Sequence, residues 1–324
     1  MKKTIDRRGA LRLALGAAAG VSLAGCAAQG AGVAGSSAGK AAASKVKVTA
    51  VPLTERLLLV SGAGANVLAL RGDEGLLLVD SGAAEATGAL QAEFRRFAGD
   101  AKVTTVINTH WHAANTGGND SFATAGARLI AHAKAAQRIA VPQYVPAEDR
   151  YLPARARIAV PKEVFYLGRK ELTFGGERIE YGYLQQPHTD GDVYVWFKDA
   201  NVLAVGDVVA PVSDPQICWF EGGWVGGRVD SQAKLMTLGN EQVRIVASTG
   251  GVISRAEVKT EHDALAVVFD RVSEAMRKGF TTEDMQRGKL LDGLPRVWAD
   301  PDQALYDAHK SMWAHYNKLS HSIV

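Results

Sequence analysis

Two β-sheets face to face with helices on their outer sides, an αββα sandwich of the α/β class, is the fold predicted by this 324-residue sequence, with additional C-terminal helices. Three observations carry the prediction. Short apolar, β-branched runs recur through residues 46–107 and again through 178–205, each bounded by turn residues. Leu90, Phe94 and Phe97 between them recur at helical spacing. Near the end, Leu265, Val268, Phe269, Val272 and Met276 form one amphipathic stripe, which predicts a helix packed on the sandwich. Strands covered by such helices bury their faces in layers and leave the loops at one sheet edge to carry ligands.

Taken in order, strands at 46–51, 57–60, 66–71 and 75–79, separated by Gly-containing turns, predict an antiparallel meander. The helix carrying Leu90 follows, then strands at 103–107, 128–131, 178–183, 193–197 and 202–205. The run Gly222-Gly223-Trp224-Val225-Gly226-Gly227 predicts either a flexible, ligand-facing loop with Trp224 as a stacking surface or an ordinary glycine-rich connection. Thr281-Thr282-Glu283-Asp284 looks like a helix start, and a last helix is expected over 301–319. Its Tyr306, Met312, Trp313 and Tyr316 are expected to pack on the core, with a site cap or a dimer interface as the alternative.

The amino terminus points to a compartment. Lys2, Lys3 and the twin Arg7-Arg8 precede an Ala/Leu-rich run, so residues 1–25 read as a twin-arginine export signal. Leu23-Ala24-Gly25-Cys26 resembles a bacterial lipobox, which makes Cys26 the acylated first residue of a protein anchored by lipid at the periplasmic or outer surface. Residues 26–45 are nearly all Ala, Gly and Ser and read as a tether. The folded part is then expected over 46–255, with a helical extension over 256–324 packed on the same domain. The leader carries a net +4, so its removal takes the net charge of +3 to about −1 and leaves no case for nucleic-acid binding. The expected partners are the membrane, through the lipid anchor, and a small-molecule substrate or ligand. Cys218, in the aromatic stretch Ile217-Cys218-Trp219-Phe220, reads as a small buried hydrophobe.

Chemistry concentrates just past the strand at 103–107, in Thr109-His110-Trp111-His112. Two His one residue apart in a turn can place both imidazoles on one ion, and imidazole suits zinc and iron. The spacing alone does not separate that from two ordinarily hydrogen-bonded His. The His at 132, 262, 309, 315 and 321 have no ligand spacing.

Four ordered blocks extend the signal. They are Leu77-Leu78-Val79-Asp80-Ser81-Gly82; residues 108–119, closing on Thr116-Gly117-Gly118-Asn119; Pro187-His188-Thr189-Asp190-Gly191-Asp192; and the strand ending in Gly206-Asp207. Together they resemble the metallo-β-lactamase superfamily, with its H-x-H-x-D-H-T-G-G-N and H-T-x-G-D blocks. The resemblance implies a first metal site of His110, His112 and His188 with Asp207 as an oxygen ligand. It also implies that the second site is lost, with Ala114 for its Asp, Asn115 for its His and Thr249 for a later His. Asp80 has a family counterpart that orients ligands, and a helix N-cap is the competing reading. Asp192, beside His188, would orient it or act as base, while Asp-Gly-Asp is also strong turn chemistry.

One zinc on three imidazoles lowers the pKa of bound water to about 7, enough for a one-metal hydrolase of an ester, lactone, thioester or amide. A catalytically silent binding or scaffold protein with a decayed site is the alternative. A one-iron oxygenase of the persulfide dioxygenase type ranks third. Resistance to β-lactams does not follow from the resemblance, since fold does not fix function.

Overall fold

Alternation along the first strands sends neighbouring side chains to opposite faces. In the computed structural model, which describes residues 46–145 and 149–317, Leu57, Leu59, Leu68, Leu70, Leu77 and Val79 enter one buried cluster. Their neighbours Leu58, Val60, Val67, Ala69, Leu76 and Leu78 enter another. Both faces of this sheet are therefore covered, as the inner layer of a sandwich requires.

The first sheet holds β1 (Thr49–Pro52), β2 (Leu57–Ala63), β3 (Ala65–Gly72), β4 (Gly75–Val79), β5 (Val103–Ile107), β6 (Arg128–His132) and β9 (Glu163–Phe165), in the order β1-β2-β3-β4-β5-β6-β9. It is antiparallel through β4 and parallel from β4 onward. A small hairpin, β7 (Gln143–Val145) with β8 (Arg150–Leu152), interrupts it. The second sheet runs in chain order through β10 (Arg169–Phe174), β11 (Glu177–Tyr183), β12 (Val193–Phe197), β13 (Val202–Gly206), β14 (Arg244–Ala247) and β15 (Val252–Ile253). Phe174, Ile179, Val193, Val195 and Phe197 meet the first sheet's Leu row between the layers.

Helices α1 (Thr87–Ala98), α2 (Ala113–Thr116), α3 (Asn119–Thr124) and α4 (Ala133–Ala140) follow the first sheet. Leu90, Phe94 and Phe122 pack on its outer face. Against the second sheet lie α5 (Val225–Leu235) and α6 (Arg255–Arg277), through Leu235 and Val258. A further cluster joins α6, α7 (Thr282–Arg287) and α8 (Pro301–Tyr316) through Leu265, Val268, Val272, Met285, Leu305 and Met312. The structure is thus the α/β sandwich the sequence predicts, with C-terminal helices added. Ser254 and Thr281 start α6 and α7 with reciprocal capping boxes. No helix among the described residues is long and apolar enough to cross a membrane. The residues read as an export leader and a tether, Cys26 among them, lie outside the described residues, as does His321.

Two expectations give way. The glycine run at 222–227 is not a loose loop: Trp224 begins α5, and its ring stacks 3.7 Å from that of His315 instead of facing a ligand. A Cβ at Gly223 would overlap the His188 carbonyl, and one at Gly227 the Gln185 carbonyl, so these glycines let the helix start press against the third-histidine loop. Of the four α8 side chains expected in the core only Met312 is there, beside Leu305 and Ala308, while Tyr306, Trp313 and Tyr316 are exposed. The sequence reading also passed over β10, whose Arg169, Lys170 and Glu171 hide its alternation, and the short hairpin β7–β8.

A buried ionic network ties these helices to the sandwich. Glu261 of α6 accepts from Arg228 Nε (3.1 Å) and Nη2 (3.0 Å), Gln232 Nε2 (2.8 Å) and the Ala210 amide (2.9 Å). Arg228 also donates to the carbonyls of Asp207 (2.8 Å) and Gln216 (3.1 Å), so α5 and α6 hold the loop after β13. Removing one partner strands a buried charge, so Glu261→Gln should destabilise the fold by about 3–5 kcal/mol in denaturant unfolding; a change within about 0.5 kcal/mol would contradict this role.

Burial raises Asp307 of α8 from its ordinary range to about 7, against the lowering effect of the Gln303 amide. A carboxyl whose folded pKa exceeds its unfolded value contributes stability that is full below the unfolded pKa and lost as pH rises through about 7. Asp307→Asn should therefore flatten the fall in Tm between about pH 4 and 8 and be more stable than the parent at the upper end; parallel Tm profiles would refute it.

Candidate metal centre

Four strand ends deliver the site. Asp80 follows β4, His110 and His112 follow β5, Asp207 follows β13, and Ser248 follows β14. The sheets are locked together there, since the Val193 amide donates to the Thr109 carbonyl at 2.7 Å and the Asn66 amide to the Ser248 carbonyl at 2.7 Å. The loop before β12 brings His188 to the same point.

One ligand atom from each of His110, His112, His188 and Asp207 lies within 4.8 Å of the others. The three imidazoles stand nearly perpendicular, at 80°, 83° and 85°, with centroids 4.7, 5.0 and 4.9 Å apart. Their outward partners assign the tautomers. Thr109 Oγ1 gives its proton to Asp80 Oδ2 (2.7 Å) and so accepts from His110 Nδ1 (3.1 Å). The Gln216 carbonyl accepts from His188 Nδ1 (2.9 Å), and Glu221 Oε2 accepts from His112 Nε2 (2.7 Å).

Each ring therefore turns its other nitrogen inward: Nε2 of His110, Nδ1 of His112 and Nε2 of His188. The last two are 3.1 Å apart with no proton assigned to either, and His110 Nε2 is buried without a hydrogen-bond partner. Converging imidazole nitrogens beside a carboxylate fit a cation, which would take the place of the His110 proton. Asp207 Oδ2 lies 3.2 Å from His110 Nε2 and 3.8 Å from His188 Nε2. His132, by contrast, has both nitrogens engaged by backbone groups, those of Tyr166 and Lys134.

With no ion bound, electrostatics leave His110 the protonated member of the cluster and His188 a neutral one. Burial works against a charged His110, yet Asp207 outweighs it and pushes His110 up to about 9. Burial also opposes ionisation of Asp207, but His110 holds its carboxyl well below the usual range. Burial, reinforced by His112 and His110, pushes His188 down to about 3 and keeps it a neutral donor. Burial raises Asp80 and Asp192 to about 6 each.

Asp80 sits at φ 61°, a left-handed conformation Asp tolerates better than most residues. It is no helix cap: it accepts the Thr109 amide (2.7 Å), the Thr109 hydroxyl and Asn115 Nδ2 (2.8 Å), and so holds the histidine turn. Asp192 closes the tight turn around His188, accepting the amides of His188 (3.0 Å) and Thr189 (2.7 Å) and the Thr189 hydroxyl (3.0 Å). Asp190 instead makes a two-pronged buried pair with Arg138 at 2.7 and 2.8 Å.

At the positions read as a lost second site, a neutral network replaces ligands. Asn115 Nδ2 donates to Asp80 and to Ser248 Oγ (3.0 Å), and Ala114 offers no ligand atom. Thr249 is exposed, and its neighbour Ser248 is the buried residue that reaches Asn115. Cys218 is buried, and its amide donates to the His188 carbonyl.

Glu221 is the residue sequence reasoning missed. It orients His112 and also accepts from Trp111 Nε1 (3.1 Å). Outer carboxylates of this kind typically contribute 10–100-fold in metal affinity. Glu221→Ala should therefore weaken binding in a chelator competition by about 10–100-fold, while Thr249→Ala leaves it unchanged; equal affinities for parent and Glu221→Ala would refute the orienting role.

Known proteins place this geometry in a family. The model of the metallo-beta-lactamase superfamily matches residues 61–248. Among curated proteins, subunit alpha of a 2,4-dinitroanisole O-demethylase from Nocardioides sp. (strain JS1661) is 28% identical over 167 residues, 50% of this chain and 46% of that protein, so the match spans about half of the relative's length. A metallo-beta-lactamase from Pontibacter korlensis superposes with TM-score 0.56 at 16% identity, covering 68% of this chain and 99% of its own. A stereoselective inverting sec-alkylsulfatase from Pseudomonas sp. gives TM-score 0.62 at 15% identity, covering 86% of this chain and 52% of its own. With the family model matching more than half of the chain and the ligand-bearing strand ends in place, the protein belongs to the metallo-β-lactamase superfamily.

Proposed function

We propose that this protein is a one-metal hydrolase-like enzyme holding zinc through His110 Nε2, His112 Nδ1, His188 Nε2 and Asp207. The observation that carries this reading is the inward convergence of three imidazole nitrogens, each ring held by an outer partner on its other nitrogen. The ion, when bound, supplies Lewis acidity, activating water near neutral pH and polarising the scissile bond. Thr109, Gln216 and Glu221 keep the rings in the ligating tautomer, and Asp207 adds the negative charge that draws a cation. The substrate class is an ester, lactone, thioester or amide. The relative named above is a subunit of a 2,4-dinitroanisole O-demethylase, which supports bond cleavage at oxygen.

Asn115 is spent on Asp80 and Ser248, so no second ion assists the leaving group in this reading. The same filled site favours a second reading, a binding protein that keeps one ion and turns nothing over. The leader and Cys26 add the proposal that either form works outside the cytoplasm on a lipid anchor.

Zinc-loaded parent protein should hydrolyse activated esters such as 4-nitrophenyl acetate above buffer and above zinc alone. His110→Ala should remove that turnover by more than about 100-fold with the fold retained, since a ligand exceeds the contribution of its outer partner. Zinc-loaded parent without turnover across ester, lactone, thioester and amide probes would favour the binding protein.

A further inference from the structure

Aromatic rings run from the metal centre to the surface. The Trp111 ring lies 4.8 Å from His112. Trp219 lies 5.4 Å from Phe220, Phe220 5.8 Å from Tyr144, and Tyr144 5.2 Å from Tyr151. Glu221, next after Phe220, joins the two groups by accepting from both Trp111 and His112. The outer end is open to solvent, with Phe220 45% and Tyr151 68% exposed.

The chain fixes this wall in register with the ligands. Tyr144 and Tyr151 are paired across the hairpin β7–β8. At its base Gln143 Nε2 donates to the Arg138 carbonyl (2.8 Å), and Arg138 grips Asp190, two residues past His188. The Asp190 amide in turn donates to the Glu221 carbonyl (2.9 Å). Hairpin, third-histidine loop and Glu221 turn are thus bound to one another.

What the wall offers is ring surface. Trp111 Nε1 is used by Glu221, and the Tyr144 hydroxyl donates to Asp149 Oδ1 (2.8 Å). The carboxylates beside the rings are likewise engaged by the wall's own donors, which disfavours recruitment of a cation. Adjacent exposed rings continuous with a candidate reaction centre are what an apolar, planar ligand group would cover.

We infer that this wall is the subsite for an aromatic group of the substrate, so that the substrate is an aryl-bearing ester, lactone, thioester or amide, with its ring on Phe220, Tyr144 and Tyr151. The inference rests on the one-metal reading for the position of the scissile bond. The test is calorimetric titration of 2-naphthol into the full protein, with zinc content measured on the same samples, for the parent, Phe220→Ala, Tyr151→Ala and Trp313→Ala. Trp313, an exposed ring on α8 that joins none of the ring pairs of the wall, serves as the control. Each wall variant should weaken binding by about threefold to tenfold, the fold-change that one aromatic pair supplies, with zinc content and Tm kept. Trp313→Ala should bind as the parent does. Parent-like binding by both wall variants, a larger loss in Trp313→Ala, or no binding by the parent overturns the subsite, whatever the zinc content. A parent that binds 2-naphthol with the expected variant contrast but holds no zinc supports the aryl subsite and overturns the metal reading alone.

Discussion

Three hydrogen bonds made on the outer sides of three imidazoles govern this site. Each of Thr109, Glu221 and Gln216 takes one ring proton, and that choice turns the opposite nitrogen toward a common point. Without those partners the same rings could rotate or exchange tautomers and satisfy one another. The partners are positioned in turn: Asp80 holds Thr109, Arg228 holds the carbonyl of Gln216, and the Asp190 amide holds the Glu221 turn. The C-terminal helices matter for the same reason, because Glu261 of α6 anchors Arg228.

The second-site positions differ in kind from the first. A single buried carboxylate, Asp80, is satisfied by the Thr109 amide and hydroxyl and by Asn115, which also reaches Ser248. A buried polar group costs stability unless it is paired, and Asn115 supplies the donor that Asp80 needs without adding charge. These positions therefore form an organised interior beside the cluster of His110, His112, His188 and Asp207.

Most of the fold was legible because its strands alternate. Leu57 to Leu70 and Gly75 to Val79 divide between two clusters as period-2 segments must, and the stripe from Leu265 to Val272 packs as a helix face. The strand β10 escaped because its solvent-facing charges break the apolar pattern, and the start of α5 because its glycines serve close packing with no local signal of helix. Of the site, the histidines and Asp207 were readable through ordered motif blocks. Glu221 was not: it lies 109 residues from the His112 ring it serves, in no motif, and only folding selects it from 34 acidic residues. Trp224 shows the opposite error, an aromatic beside glycines that reads as a ligand platform yet stacks on His315.

The account stands or falls on one ion at one site. Elemental analysis of the purified protein, parent against His112→Ala, measures it directly. The account predicts about one zinc per parent chain and loss of that zinc in the variant, which keeps the fold. A parent that takes up no metal after incubation with zinc, or that takes up two ions per chain, would contradict it.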